Sequence, residues 1–102
     1  MINSNSYRIS TSASRDLAHI WEYYRRVASE ETADRQIARL HERFQILANH
    51  PYAGVARHLF SEGLRSHAVP NTRYIIFYFP YDNGVEIAHV VHGNQDTSRL
   101  FG

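Results

Sequence analysis

Cysteine is absent from all 102 residues, which removes disulfide staples, a thiolate nucleophile and a thiolate zinc site together. The absence leaves the compartment open. Lysine is absent too. All eleven basic residues are arginine, so Schiff-base and lysine general-base chemistry have no carrier. No apolar run approaches the roughly 20 residues that cross a bilayer. The opening MINSNSYRIS has neither the basic start nor the apolar stretch of an export signal. A cytoplasmic protein without membrane association is the expectation. An excess of one charge is missing as well: eleven basic against ten acidic residues give +1, which argues against a protein that holds phosphate backbone in bulk.

What is present is enough for one core. At 43% hydrophobic and 13% aromatic, residues 1–102 form a single domain that needs no covalent staple. The organising stretch is Arg73 to Gly93, two β-rich runs around Asp82, Asn83 and Gly84. Asn-Gly between alternating hydrophobics signals a hairpin, because both residues tolerate the positive φ that a tight turn demands. On the incoming run Ile75, Phe77 and Phe79 share one face, and Tyr74, Ile76 and Tyr78 share the other. Both faces are apolar, and the run Val85 to Val91 is equally rich in Val and Ile.

Ahead of the hairpin, Ser6 to Ser10 alternates as a first strand. Ser10 or Ser12 caps a helix whose stripe is Ala13, Leu17, Ile20, Trp21, Tyr24 and Val27 or Ala28. Ser29 caps a second helix with Glu30 and Glu31 at its positive end and a stripe of Ala33, Ile37, Leu40, Phe44 and Leu47. Pro51 stops it near Asn49 or His50. A connection of about three residues makes the two helices an antiparallel hairpin. Residues 51–63 lack either period and read as a loop. Leu64 to Val69 is a strand, and Asp96 or Thr97 caps a short last helix carrying Leu100 and Phe101. The fold class is therefore α+β: β-αα-βββ, a helical hairpin packed on one face of a small, mostly antiparallel sheet, with a short C-terminal helix.

Individual side chains invite sharper readings. Seven histidines are present, but His89 and His92 fall on opposite faces of a regular strand, and His19, His58 and His67 have no metal-ligand spacing. His41 and His50 sit on or at the end of the second helix, where a cation has a structural role. Arg65 and Arg73 suit either a phosphate or a carboxylate, and Glu62 and Glu86 are the available internal partners. Trp21 and Tyr24, at helical spacing, read as core.

The texts SxxRDLxxIWEYY, ADR with FxxLxxHPxxG, GLRSHxV, RYIIFYF and DNGVEIxxVVHGxQD, in this order, resemble the ParE toxins of the RelE/ParE toxin-antitoxin superfamily. The resemblance covers Tyr7 to Phe101 and implies the same β-αα-βββ order. The superfamily contains two chemistries. RelE-like members resemble ribosome-dependent mRNA endoribonucleases, which need basic groups for phosphate and an ionisable group to move protons. ParE-like members are described as inhibitors of DNA gyrase. Where the RelE pattern has an arginine before the third strand, this chain has Pro70 and Asn71. Its basic residues after the last strand are here Asn94 and Gln95, following Gly93. Its C-terminal tyrosine corresponds to Phe101, which cannot exchange a proton.

The expectation is a non-enzymatic, plasmid-stabilisation type of toxin acting on gyrase and neutralised by a ParD-like antitoxin in a hetero-oligomer. It would need no cofactor, metal or catalytic residue. The rivals are the RelE-like nuclease and a degenerate toxin that keeps only antitoxin binding. The antitoxin segment would fold on binding against the open sheet face and the groove beside the helices. Tyr74, Ile76 and Tyr78 are assigned to that surface, with Arg65 and Arg73 at its rim, and Ile75, Phe77 and Phe79 to the core. Both sets are apolar, so the opposite assignment stays open. His92, Gly93, Asp96 and Arg99 are the candidates for contact with the target.

Overall fold

The computed structural model describes residues 5–93 together with Leu100 and Phe101. Among these, the order is β1 (Ser6–Ile9), α1 (Thr11–Val27), α2 (Glu30–Asn49), β2 (Val55–Ala56), β3 (Arg65–Ala68), β4 (Tyr74–Tyr81) and β5 (Gly84–His92). The strands form one five-stranded sheet in the order β1-β5-β4-β3-β2. Only the β1–β5 pair is parallel. The expected α+β architecture is present, with one strand more than the sequence announces. β2 lies inside the stretch read as loop, and a two-residue strand is too short to show a period. The cap and body of the expected C-terminal helix fall on residues 94–99, outside the described residues.

Local chemistry explains where each element starts and stops. Ser10 caps α1 by accepting from the Ala13 amide at 3.0 Å, and its own hydroxyl donates to the Ala88 carbonyl at 2.9 Å. The cap thus ties the helix start to β5. Ser29 caps α2 by accepting from the Thr32 amide at 3.0 Å, ahead of Glu30 and Glu31. The hairpin turn holds Asn83 at φ 67° and Gly84 at φ 154°. A Cβ on Gly84 would lie 1.7 Å from the Ser6 carbonyl oxygen, so pairing with β1 demands glycine there as strictly as the turn does. Pro80 sits in β4 beyond Tyr78, where pairing with β3 has ended and β5 is the remaining neighbour.

Both sheet faces are covered, by different means. Under the helices lie Ile76, Tyr78, Val85, Ile87 and Val90, packed against Ala13, Leu17 and Ile20 of α1 and Leu40, Phe44 and Leu47 of α2. A large side chain buried this completely contributes roughly 1.5–3 kcal/mol. The opposite face carries Phe77, Ala88 and Val91 with Leu64, and Phe60, Ile75, Phe79, Leu100 and Phe101 pack around them. The assignment of Ile76 and Tyr78 to an outer surface is therefore reversed, since both are fully buried beneath the helices, whereas Tyr74 is half-buried. Two apolar rows cannot declare which one the helices will cover. The register shift at Phe77/Tyr78 skips Ala88, a bulge that puts both Ala88 and His89 on the side of Phe77 and Phe101, with His89 at the sheet edge where it also reaches Asp16 of α1.

The helix stripes match their expectation with two departures. The stripe's last position is not inside in either form: Val27 is 57% exposed, and Ala28 is exposed as well. Trp21 is half-buried outside the core, and its indole Nε1–H donates to Asp34 of α2 at 2.9 Å, bridging the two helices.

Candidate functional site

An open groove of about 620 Å³ lies where the two helices meet the ends of β4 and β5. α1 contributes Asp16, His19, Ile20, Tyr23 and Tyr24, and α2 contributes Gln36 and Arg39. The β3–β4 turn supplies Asn71, Thr72 and Arg73, and the strands supply Tyr74, Val90 and His92.

The turn that carries Arg73 is held from several sides. Asn71 adopts φ 63°, the left-handed conformation that asparagine tolerates. The Thr72 hydroxyl donates to the Val69 carbonyl at 2.9 Å and accepts from the Tyr74 amide at 3.0 Å. The Arg73 carbonyl accepts from the Gly93 amide at 2.6 Å, which binds the turn to the end of β5. Arg73 is thus an exposed side chain on a fixed backbone, the combination that positions a charge without tying it down.

The groove's electrostatics are one-sided. Asp16, its single lining carboxylate among the described residues, is already engaged: it accepts from the Val90 amide at 2.9 Å and lies 3.2 Å from His89 Nδ1. This contact has a structural cause. β1 ends at Ile9, so the β5 edge beyond Ile87 has no strand beside it, and Ser10 and Asp16 satisfy its backbone instead. Arg39 and Arg73 have no salt-bridge partner among the described residues. Burial, followed by a hydrogen bond with the Tyr24 hydroxyl, pushes the Tyr74 phenol far above the ordinary tyrosine range. Tyr74 therefore stays neutral in the wall, and its ring meets His92 edge-on at 5.9 Å.

This arrangement can bind an anionic group flanked by apolar surface. The Asp16–His89 pair has the layout of a base and its orienting carboxylate, yet the carboxylate is shared with a strand amide and His89 packs against Phe101 at 5.4 Å. Among the described residues no group of three or more His, Asp or Glu side chains is arranged to hold a metal ion.

Of the residues singled out in the sequence, Arg73, Tyr74 and His92 come together in this groove, with Gly93 adjoining. Ile76 and Tyr78 do not reach it, because they lie in the core. Arg65 stands apart as well: it pairs with Tyr78 in the β3–β4 register, donates to the Gly54 carbonyl at 2.8 Å and lies over the Tyr52 ring at 5.0 Å. Neither Glu62 nor Glu86 is its partner; Glu86 faces Arg8 at 3.5 Å. Asp96 and Arg99 lie outside the described residues. Sequence reasoning missed His19, Tyr23, Gln36 and Arg39. Their signal was a polar row beside each apolar stripe, at i,i+4 on one helix and i,i+3 on the other, which resembles any solvated flank.

Comparison with known proteins agrees with this architecture. The chain resembles a solved structure described as the chromosomal ParDE TA system from P. aeruginosa, with a TM-score of 0.73 and 16% identity over 89% of this chain and 98% of that one. That likeness shows a shared fold. A search of curated protein sequences gives no match. The family model described as ParE toxin of type II toxin-antitoxin system, parDE, matches residues 7–97. A match over nearly the whole folded region settles the family: the chain belongs to the ParE toxins of type II toxin-antitoxin systems.

Proposed function

We propose that this ParE-family chain acts by contact and not by bond chemistry, inhibiting DNA gyrase when free and silenced by a ParD-like antitoxin whose C-terminal segment occupies the groove. Both partners would place it in the cytoplasm. The observation that carries the reading is that Arg39 and Arg73, without a salt-bridge partner among the described residues, share one groove with exposed aromatic surface. Such a surface suits a charged, amphipathic chain segment that folds on binding. Support against the nuclease alternative comes from Phe101, at the position where the RelE pattern has a tyrosine. It packs against Phe77 at 5.2 Å and Phe60 at 6.3 Å as an apolar plug, with no group to exchange a proton. Of the target-contact candidates, His92 and Gly93 lie at this end of the sheet.

The test uses purified protein in two assays. Negative supercoiling by gyrase should fall while mRNA in a translating extract stays intact, and the product of a short adjoining reading frame should reverse the effect. Codon-positioned mRNA cuts would install the nuclease reading. Binding to that product with gyrase untouched would mark a degenerate toxin.

A further inference from the structure

We infer that the groove recognises its antitoxin through an acidic anchor: one or two carboxylates of the bound segment seat between Arg39 and Arg73, while its apolar side chains run along α1 over Tyr23 and Val27. This rests on the antitoxin reading above and adds the chemistry of the contact.

Charge complementarity points to the anchor. The chain as a whole is nearly neutral at +1, yet the groove gathers two guanidinium groups from different elements, and Asp16, its only lining carboxylate among the described residues, is taken by Val90 and His89. An anion entering there meets cations that no carboxylate among the described residues pairs with. The rigid fork of arginine matches a carboxylate with two parallel hydrogen bonds, so two arginines can take one carboxylate each or share one. Arg65, named in the sequence as a rim residue, lies outside this groove and donates to the Gly54 carbonyl.

The apolar half of the contact follows from exposure. Tyr23 is 48% exposed and Val27, one helical turn on, is 57% exposed. Tyr23 lines the groove, so the strip leads out of it along the outer side of α1. The geometry calls for a segment acidic where it enters the groove and aliphatic where it follows the helix, the two parts joined within about a turn or two of chain.

The experiment measures the affinity of the full chain for the purified product of the adjoining reading frame. Arg39→Gln and Arg73→Gln should each weaken binding about tenfold, and the pair together about a hundredfold. Arg8→Gln, beside Tyr81 at the hairpin-turn end of the sheet and outside the groove, should change it less than twofold. Raising the salt from 0.1 to 0.5 M should weaken the native complex markedly and the double variant hardly at all. Thermal unfolding of each isolated variant should match the native chain, since both arginines are exposed. A tight native complex that ignores both substitutions and salt would overturn the acidic anchor and leave the antitoxin reading standing. Failure of the native chain to form any complex would remove that reading, and the anchor with it.

Discussion

The two faces of the central hairpin are built from the same residue types and sealed in different ways. Beneath α1 and α2, Ile76, Tyr78 and Ile87 are covered by helices of 17 and 20 residues. On the other face, the described residues that cover Phe77 and Val91 are single side chains: Phe60 from a loop, together with Leu100 and Phe101. A helix-covered face loses water cooperatively, because one helix buries many residues at once. A face covered by individual rings is held ring by ring. The first should behave as the stability core and the second as an adjustable cover.

The most severe way to test that contrast is to place the same charge on each face. Ile76→Asp puts a carboxylate at a fully buried position under the helices, and at a cost of about 4 kcal/mol or more the chain should fail to fold. Phe79→Asp, at a half-buried position on the other face, should give a soluble protein with native circular dichroism and a lowered melting temperature. If Phe79→Asp is equally destructive, the two faces are equivalent and the contrast fails.

The next effect concerns the seam at one edge of the helix face. The Gly54 amide donates to the Tyr78 hydroxyl at 2.8 Å, and a Cβ on Gly54 would lie 2.5 Å from that oxygen and 2.6 Å from the Ser66 carbonyl oxygen. Neither backbone nor a fully buried ring can move aside cheaply. Gly54→Ala should therefore cost about 2–3 kcal/mol, read as a drop in the urea midpoint with unchanged slope.

Much of this was legible because it is local. Serine before an apolar period announced both helix starts, Pro51 announced the end of α2, and Asn83-Gly84 announced the hairpin, all within a few residues of chain. The choice of face was not legible. It is decided by Tyr78 reaching Gly54, 24 residues away, and by the Ala88 bulge, and neither leaves a mark in an alternation that is apolar on both sides. The groove was half legible for the same reason. Arg73, Tyr74 and His92 adjoin the hairpin that organises the fold, whereas Arg39 and His19 look like solvated helix residues until the helices are laid on the sheet. Arg65 misled because its sequence neighbours offer carboxylates, while the fold offers it a carbonyl and a ring.

A smaller effect sharpens the comparison from the side of the adjustable cover. Phe101 meets Phe77, Phe60 and His89 with ring centroids 5.2, 6.3 and 5.4 Å away, yet it is only half-buried. Phe101→Ala should cost about 1–2 kcal/mol, less than the loss of a core phenylalanine. Hydrogen exchange should quicken for amides near Phe77 and Val91 while those of α1 and α2 keep their protection. Equal loosening of the helices would show that the two faces unfold as one unit.

The smallest effect probes how dry the helix face is at its margin. His67 pairs with Ile76 in the β3–β4 register and so points under the helices, where its Nε2 is buried without a hydrogen-bond partner among the described residues. Burial first, and then the nearby charge of Arg43, hold its pKa below the ordinary value of 6.5. The unfolded chain therefore takes up a proton near pH 6.5 that the folded chain still refuses. The contribution is fully present above that pH. It is lost as the pH falls through the window between 6.5 and the lower folded value, and it stays lost below. Urea unfolding across that range, for the native chain and for His67→Gln, isolates this residue from the other histidines, which both proteins share. The native chain should lose stability faster on acidification than the variant, by a modest margin because the ring is only partly buried. Parallel curves would mean that water reaches β3 beneath α2, and the helix-covered face would then be less closed than its neighbour Ile76 implies.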